Sequence, residues 1–256
     1  AILLAGMNAD GETTVTEPYT SRDHTERMLT GFGVKLKKSG TSITISKVDK
    51  MTPPAEIHVP GDISSAAFWL VAASIIEGSD VILKDVGINE TRTGIIDVLK
   101  DMGADIQLLN VRDEVEPLAD IRVRYAKLHG TTFGADIMPR LIDEIPIIAV
   151  AAMFAEGTTK ITGAGELRVK ETDRLQVITD EFNKVCPCIE GLEDGMIITG
   201  GQKNNLKFAR CNSHDDHRIA MALAILGAAG VGVEIENSEC VNISYPTFYE
   251  ILTHFE

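Results

Sequence analysis

The sequence is short of positive charge, of metal-binding cysteine pairs and of long hydrophobic runs. Its 256 residues include 24 Lys and Arg against 38 Asp and Glu, which gives a formal net charge of −14. No face of so acidic a chain can be broadly basic, so we expect neither nucleic acid nor an anionic membrane as a partner. The longest uncharged stretch, Ile219 to Val233, is shorter than the roughly 20 residues of a membrane-spanning helix. We expect a buried helix there that leads into a strand.

The cysteines and histidines lack the patterns of a metal or redox site. The four cysteines are not spaced as zinc ligands, and the Cys-Pro-Cys at 186–188 is too tight for a relaxed disulfide or a Cys-x-x-Cys redox pair. The six histidines form no metal-binding constellation. We therefore predict no metal site, and free thiols in a reducing cytoplasm.

An internal repeat organises the chain. Four segments share one order of elements: an Ala-rich apolar helix, a turn with glycine, a short β-branched strand, a polar turn and an amphipathic helix. They open at Ala1, Asp62, Asp143 and Asp216. The Ala-rich helices carry almost no polar face, so we expect them to be buried against one another with sheets around them. The predicted class is α/β (α+β), with small mixed sheets completed by strands such as Ile121 to Tyr125.

Prolines indicate a boundary between two lobes. Thr52-Pro53-Pro54 and Pro60-Gly61 bracket a stiff stretch that disfavours both helix and strand pairing. We place the boundary near Pro60, with 1–59 as the end of one lobe and 60–256 as a second lobe of three repeats. The start of the chain reads as the end of an apolar helix without an N-cap, so we expect further protein upstream.

The segment Arg168-Val169-Lys170-Glu171-Thr172-Asp173-Arg174 is the most informative one. Behind it, apolar residues at spacings of three and four predict an amphipathic helix: Leu175, Ile178, Phe182 and Val185. The cations therefore precede the helix or lie in its first turn, where the helix dipole repels them. Such a placement indicates a shared anion. The alternative is a solvated charge run with local pairs such as Glu171 with Arg174.

Other repeats also carry an arginine near a helix start: Arg22, Arg92 and Arg218. Repeated positions can converge on one face, and a guanidinium suits carboxylate and phosphate because it donates two parallel hydrogen bonds.

Each of these residues has a structural alternative. Arg92 fits a pair with Glu90 or Asp97 better than a site, and Arg218 could pair with Asp215. His217 could be a satisfied, partly buried imidazole. Asp143, before an apolar run, could be a helix N-cap.

Several motifs together carry a family resemblance. The segments 141–146 (Leu-Ile-Asp-Glu-Ile-Pro), 166–174 and 216–222 (Asp-His-Arg-Ile-Ala-Met-Ala) closely resemble the 5-enolpyruvylshikimate-3-phosphate synthase family. The segments 21–26 and 60–66 fit the same family in order and spacing. The resemblance covers essentially the whole chain, but only about the C-terminal part of the family's usual length.

The resemblance implies two lobes, each of three βαβαββ units in an inside-out barrel, that close like a clamp. It implies transfer of the enolpyruvyl group from phosphoenolpyruvate to the 5-hydroxyl of shikimate-3-phosphate, in aromatic amino acid biosynthesis, by a cytoplasmic and monomeric glyphosate target without cofactors. The family's N-terminal motifs lie upstream of Ala1, so we expect this chain alone to be inactive.

The resemblance also implies roles for particular residues. Asp143 would bind the shikimate ring and take part in proton transfer at the attacking oxygen, and Glu171 would serve proton transfer at the methylene carbon. The expected substrate-binding residues are Ser21, Arg22, Asp143 and Lys170 for shikimate-3-phosphate, Arg174 and Arg218 for phosphoenolpyruvate, and His217 beside them.

Two other functions compete with this interpretation. The sister enolpyruvyl transferase, which acts on UDP-N-acetylglucosamine, shares the repeat architecture but would require a catalytic cysteine loop. The chain could also be a non-catalytic anion-binding half that needs a complementary lobe.

Overall fold

The first repeat folds into two helices and a small antiparallel sheet. In the computed structural model, which describes residues 1–254, its strands are ordered β1-β3-β2, with Val15 opposite Ile43. The elements are α1 (Ile2–Gly6), β1 (Glu12–Thr16), α2 (His24–Gly31), β2 (Leu36–Ser39) and β3 (Ser42–Ser46). Residues 47–60 form no helix or strand.

The next two repeats have the same strand order. The second forms the sheet β4-β6-β5 and the third the antiparallel order β8-β10-β9. The second contains α3 (Ile63–Ile75), β4 (Asp80–Gly87), α4 (Gly94–Asp101), β5 (Asp105–Arg112) and β6 (Leu118–Arg124). The third contains β7 (Thr132–Phe133), α5 (Ile145–Phe154), β8 (Thr158–Ile161), α6 (Arg174–Val185), β9 (Ile189–Gly191) and β10 (Met196–Thr199).

The fourth repeat contributes a parallel strand pair and two helices. Its elements are β11 (Ala209–Asn212), α7 (His217–Ala229), β12 (Val233–Glu236) and α8 (Phe248–Thr253). β11 pairs with β12 in parallel, as β7 does with β8, and Gly61 makes a parallel bridge to Val86 of β4. A parallel strand thus precedes α5 and α7, and a single parallel bridge precedes α3. This mixture of helices with parallel and antiparallel strands confirms the predicted α/β class.

The three Ala-rich helices α3, α5 and α7 all contact one another. Their side chains are almost all buried, because these helices have no polar face to turn to water. The same expectation is wrong for α1, where Ile2 is 58% and Leu4 52% exposed. That helix has only five residues and packs through Gly6 against Thr13 and Ile45.

Two separate hydrophobic clusters result. The smaller has five buried members: Leu3, Leu29, Val34, Ile43 and Ile45. The larger extends from Ile63 to Phe248 and contains the three central helices. It also includes the predicted stripe of α6, from Leu175 to Val185, which is confirmed. Among residues 1–254, no helix combines the length and the apolar character needed to cross a membrane.

Candidate active site

The candidate site forms where α5, α6 and α7 begin. Asp143 lies in a 3-10 turn, Ile142–Glu144, directly before α5. The alternative that it caps this helix is wrong, because Glu144 occupies the N-cap position and no side chain makes the cap bond. The carboxylate of Asp143 instead faces cations from distant parts of the chain.

Three cationic side chains surround the Asp143 carboxylate. Nη2 of Arg22 donates a hydrogen bond to Oδ2 at 3.0 Å across 121 positions of sequence. Nη1 of Arg174 and Nζ of Lys170 lie 3.6 and 3.7 Å from Oδ1. The structure therefore brings predicted residues of three repeats together with Asp216, which was not predicted. We call this group the Asp143 cluster: Arg22, Asp143, Lys170, Glu171, Arg174, Asp216 and Arg218.

The charges set the protonation of Asp143. Burial works to raise the pKa of this carboxyl, but the Arg218 charge, the hydrogen bond from Arg22 and the Lys170 charge outweigh it. The pKa of Asp143 is therefore held below its ordinary value, and the side chain is a carboxylate at neutral pH.

Arg174 is the first residue of α6 and is only 1% exposed. Its Nε donates to Oδ2 of Asp216 at 2.7 Å, and its Nη2 donates to Oε2 of Glu171 at 2.6 Å. Asp216 is fully buried. The local pair of Glu171 with Arg174 is thus present, but it belongs to a larger ion network whose buried members depend on each other.

Asp216 also begins α7, because its side chain accepts hydrogen bonds from the backbone N–H groups of Arg218 and Ile219. The two residues before it, His214 and Asp215, have positive φ angles of 53° and 59°. His and Asp are among the side chains that tolerate this left-handed conformation. The strained turn presents Asp216 to both α7 and Arg174.

Arg218 and Arg92 have other partners than those expected. Nη1 of Arg218 donates to the backbone carbonyl of Asp143 at 3.3 Å and lies 3.8 Å from Oε1 of Glu144, so its ion pair is not with Asp215. Nη2 of Arg92 donates to Ser64 Oγ at 2.7 Å and to Asp62 Oδ1 at 3.2 Å.

Neither of the acidic residues predicted for Arg92 pairs with it. The predicted partner Asp97 binds Arg140 at 2.8 Å instead, and Glu90 offers its backbone carbonyl to the same Arg140 at 2.6 Å. Sequence proximity was misleading because Arg140, 43 positions after Asp97, takes both predicted partners of Arg92.

The remaining predicted residues lie at different depths. The side chain of Glu171 is 49% exposed. Nζ of Lys170 lies 3.0 Å from Oε1 of Glu166, in addition to its contact with Asp143. Burial, with the neighbouring Arg218 charge, lowers the pKa of His217, which is therefore a neutral imidazole at neutral pH. The hydroxyl of Ser21 donates its hydrogen bond to Oε1 of Glu17 at 2.6 Å and not to a member of the Asp143 cluster.

A cavity of about 1140 Å³ is lined by neighbours of the Asp143 cluster, such as Glu166, which pairs with Lys170, but by no member of the cluster itself. Its walls include Tyr19 and Thr20 from the first repeat, and Ile142 and Glu166 from the third. The volume suits small-molecule substrates. Within residues 1–254 no group of His, Cys, Asp and Glu has the arrangement of a metal site. Clustered cations suit the binding of anions, and carboxylates beside them suit proton transfer.

Sequence reasoning missed two buried carboxylates at this site. Asp216 was seen only as the residue that opens a repeat, and Glu144 only as part of a motif. The signal that could have found Asp216 is its equivalence to Asp62, which caps α3 in the same way. No local signal identifies its pairing with Arg174, 42 positions away.

The sequence matches the model of the family described as EPSP synthase (3-phosphoshikimate 1-carboxyvinyltransferase) over residues 1–252. A 3-phosphoshikimate 1-carboxyvinyltransferase of Endomicrobium trichonymphae is 50% identical over 256 residues, which are 99% of this chain and 59% of the relative. One from Bacillus cereus strain G9842 is 52% identical over 254 residues, 98% of this chain and 58% of the relative. The chain thus spans less than two thirds of the length of these curated relatives.

Two solved structures are also similar to this chain. EPSP synthase from Acinetobacter baumannii superposes with a TM-score of 0.92 at 46% identity, over 99% of this chain and 58% of that one. The enolpyruvyl transferase NikO from Streptomyces tendae, with a TM-score of 0.75 at 18% identity over 99% and 57% of the two chains, shows likeness of fold alone. Because the family match covers nearly the whole chain, and relatives at about half identity carry the same name, this chain belongs to the EPSP synthase family.

Proposed function

We propose that this chain is the C-terminal part of a 3-phosphoshikimate 1-carboxyvinyltransferase. The complete protein would transfer the enolpyruvyl group of phosphoenolpyruvate to the 5-hydroxyl of shikimate-3-phosphate and release phosphate. The observation that carries the proposal is the ionised Asp143 held among Arg22, Lys170 and Arg174. A reaction between two anionic substrates needs clustered cations, and an attacking hydroxyl needs a base.

Asp143 and Glu171 differ in burial and in their partners, and we assign them different acid–base roles. Asp143 is the proposed base at the 5-hydroxyl, because its lowered pKa keeps it deprotonated while neighbouring cations hold it in place. Glu171, held at 2.6 Å from Arg174, is the proposed acid–base group at the methylene carbon of phosphoenolpyruvate. Because it is half-exposed, it can take a proton from water, pass it to that carbon when the 5-hydroxyl adds, and take a proton back when phosphate leaves. Both groups act without a cofactor in this proposal.

The cations divide between the two substrates. Arg22 and Lys170 would hold shikimate-3-phosphate, with Ser21 once its hydroxyl leaves Glu17, and Arg174 and Arg218 would hold phosphoenolpyruvate. His217, neutral beside Arg218, can donate or accept a hydrogen bond without adding charge. Arg174 contributes as a fixed charge, since its Nε and Nη2 atoms already donate to Asp216 and Glu171.

The lobe boundary near Pro60 belongs to the same proposal. Residues 1–59 would end the N-terminal lobe and residues 60–256 would form the C-terminal lobe of an inside-out barrel in a cytoplasmic, monomeric enzyme. Two observations support this boundary: separate hydrophobic clusters on either side of it, and the lack of helix or strand at 47–60. Arg22 then reaches Asp143 across the cleft between lobes.

The proposed reaction is tested by phosphate release. We expect the complete protein, with the upstream part that its relatives possess, to release phosphate only when both substrates are present. The 256-residue chain should show no turnover, because reacting groups must be held from both sides. Turnover by the chain alone would contradict the division of the site between lobes, and a complete protein without turnover would contradict the function.

Lys170→Ala separates binding from chemistry. Loss of one charge-assisted contact to a phosphate should raise the Kd for shikimate-3-phosphate by about ten- to a hundredfold. Calorimetric titration of the complete protein measures this Kd directly. Lys184→Ala is the matched control, because it removes an ammonium from the other end of α6, where it pairs with Glu181. Equal effects of both variants would mean that Lys170 has no specific contact.

A further inference from the structure

A second buried carboxylate lies behind the Asp143 cluster. Glu144 is 3% exposed and occupies the N-cap position of α5, but its side chain does not cap the helix. An ionisable group that is desolvated in this way needs other partners, because burying an unpaired charge is strongly unfavourable. Glu144 has two such partners, Ser64 and Arg218, and each lies in the first turn of a neighbouring helix.

The partners of Glu144 form a chain of contacts. Nη2 of Arg92 donates to Oγ of Ser64 at 2.7 Å, and Oγ of Ser64 donates to Oε1 of Glu144 at 2.5 Å. The same carboxylate oxygen lies 3.8 Å from Nη1 of Arg218. The contacts therefore run from the start of α3, through the start of α5, to the start of α7.

Three helix N-termini converge on this carboxylate. Ser64 is in the first turn of α3 and Arg218 in the first turn of α7. The positive ends of helix dipoles favour a negative charge between them. Burial nevertheless raises the pKa of Glu144, against the Ser64 hydrogen bond and the Arg218 charge. The Ser64 hydrogen bond and the Arg218 charge are therefore the contacts that favour the carboxylate form of Glu144.

Arg218 is held much more loosely than Arg174. Arg174 has ion pairs with Asp143, Glu171 and Asp216. Across the described part of the chain, Arg218 has an ion pair with Glu144 alone, and its other side-chain bond is to the Asp143 carbonyl. The direction in which the Arg218 guanidinium points is therefore set by the Asp143 carbonyl and by the charge of Glu144.

We propose that Glu144 is a positioning residue that aims Arg218 at the anionic enol substrate, and that Ser64 and Arg92 orient Glu144. The inference rests on the proposed function, in which Arg218 holds phosphoenolpyruvate. Glu144 itself need not touch the substrate. Its effect should appear in the binding of one substrate only.

The test is steady-state kinetics of the complete protein with each substrate varied in turn. Glu144→Gln keeps the shape of the side chain and removes its charge. We expect the KM for phosphoenolpyruvate to rise about tenfold, the scale of one charge-assisted hydrogen bond, while the KM for shikimate-3-phosphate changes by less than about twofold. Ser64→Ala should change the first KM in the same direction, and Ser64→Thr, which keeps the hydroxyl, should restore it.

Asp120→Asn is the matched control. Asp120 is also a buried carboxylate, and it holds Lys84 and Asn110 in the β4-β6-β5 sheet, so its loss should lower the unfolding temperature without changing either KM. The inference is overturned if Glu144→Gln behaves like this control or raises both KM values equally. If Glu144→Gln does not fold, equal KM values for Ser64→Ala and Ser64→Thr overturn it. Failure of the wild-type protein to turn over would instead overturn the proposed function.

Discussion

Replacing Asp216 with alanine is expected to lower the free energy of unfolding by about 3–5 kcal/mol. Asp216 is fully buried, and it accepts the Nε hydrogen bond of Arg174, which is itself 1% exposed. The variant would leave the buried guanidinium at the start of α6 without its fully buried carboxylate partner, and it would also remove the cap of α7. Urea denaturation followed by far-UV circular dichroism measures the change through the midpoint and the slope.

Asp62→Ala provides the control for the cap. Asp62 begins α3 in the same way, by accepting backbone hydrogen bonds from Ser64 and Ser65, but it is half-exposed. Its guanidinium partner, Arg92, is less deeply buried than Arg174 and keeps its hydrogen bond to Ser64 when Asp62 is removed. Loss of a cap alone costs about 1 kcal/mol. If Asp62→Ala and Asp216→Ala destabilise the protein equally, the ion pair with Arg174 makes no net contribution to stability.

Glu171→Gln should reduce the turnover of the complete protein by about 10²–10⁴-fold. The amide keeps the size of the side chain and its ability to accept a hydrogen bond from Arg174, but it has no proton to exchange with a vinyl carbon. The Kd values of both substrates should change little, because the lost interaction exists only in the transition state. Single-turnover kinetics, with direct titration of each substrate, separates these quantities.

Asp180→Asn serves as the comparison for Glu171→Gln. Asp180 lies on the exposed side of α6 and accepts a hydrogen bond from Gln176, so its neutralisation should leave turnover unchanged. Full turnover by Glu171→Gln, combined with a lower unfolding temperature, would make Glu171 a local partner of Arg174 and nothing more. In that case the segment 168–174 would be a solvated charge run with local ion pairs, which is the simpler interpretation.

The hydrophobic pattern was sufficient to predict the layers of the fold. The helices α3, α5 and α7 have no polar face, so their burial followed from composition. The stripe of α6 was equally clear from its spacing. The same reasoning failed for α1, because a short helix with one neighbouring sheet buries one side whatever its composition.

The candidate site could be predicted only in part. The family motifs identified Asp143, Lys170, Glu171 and Arg174 as a group, and the structure brings them together. Local charge pairing was a poor guide, since Arg92 binds Ser64 at the opening of its own repeat, 28 positions away, and Arg218 pairs with Glu144 of the third repeat. Contacts such as Arg22 with Asp143 span 121 positions, and nothing in the local sequence encodes which distant carboxylate a cation will meet. Tertiary packing decides that pairing.

In the proposed function, the turn before α7 has a consequence for the entropy of anion binding. His214 and Asp215 hold positive φ angles although each carries a side chain, at a cost of order 1–3 kcal/mol per residue. Two glycines would relieve that strain but leave the turn free to sample many more backbone conformations. Side-chain bonds from Asn212 and Glu181 fix the turn as it is. The backbone before Arg218 is therefore already ordered in the folded chain. Binding of the proposed anionic substrate would then cost less conformational entropy.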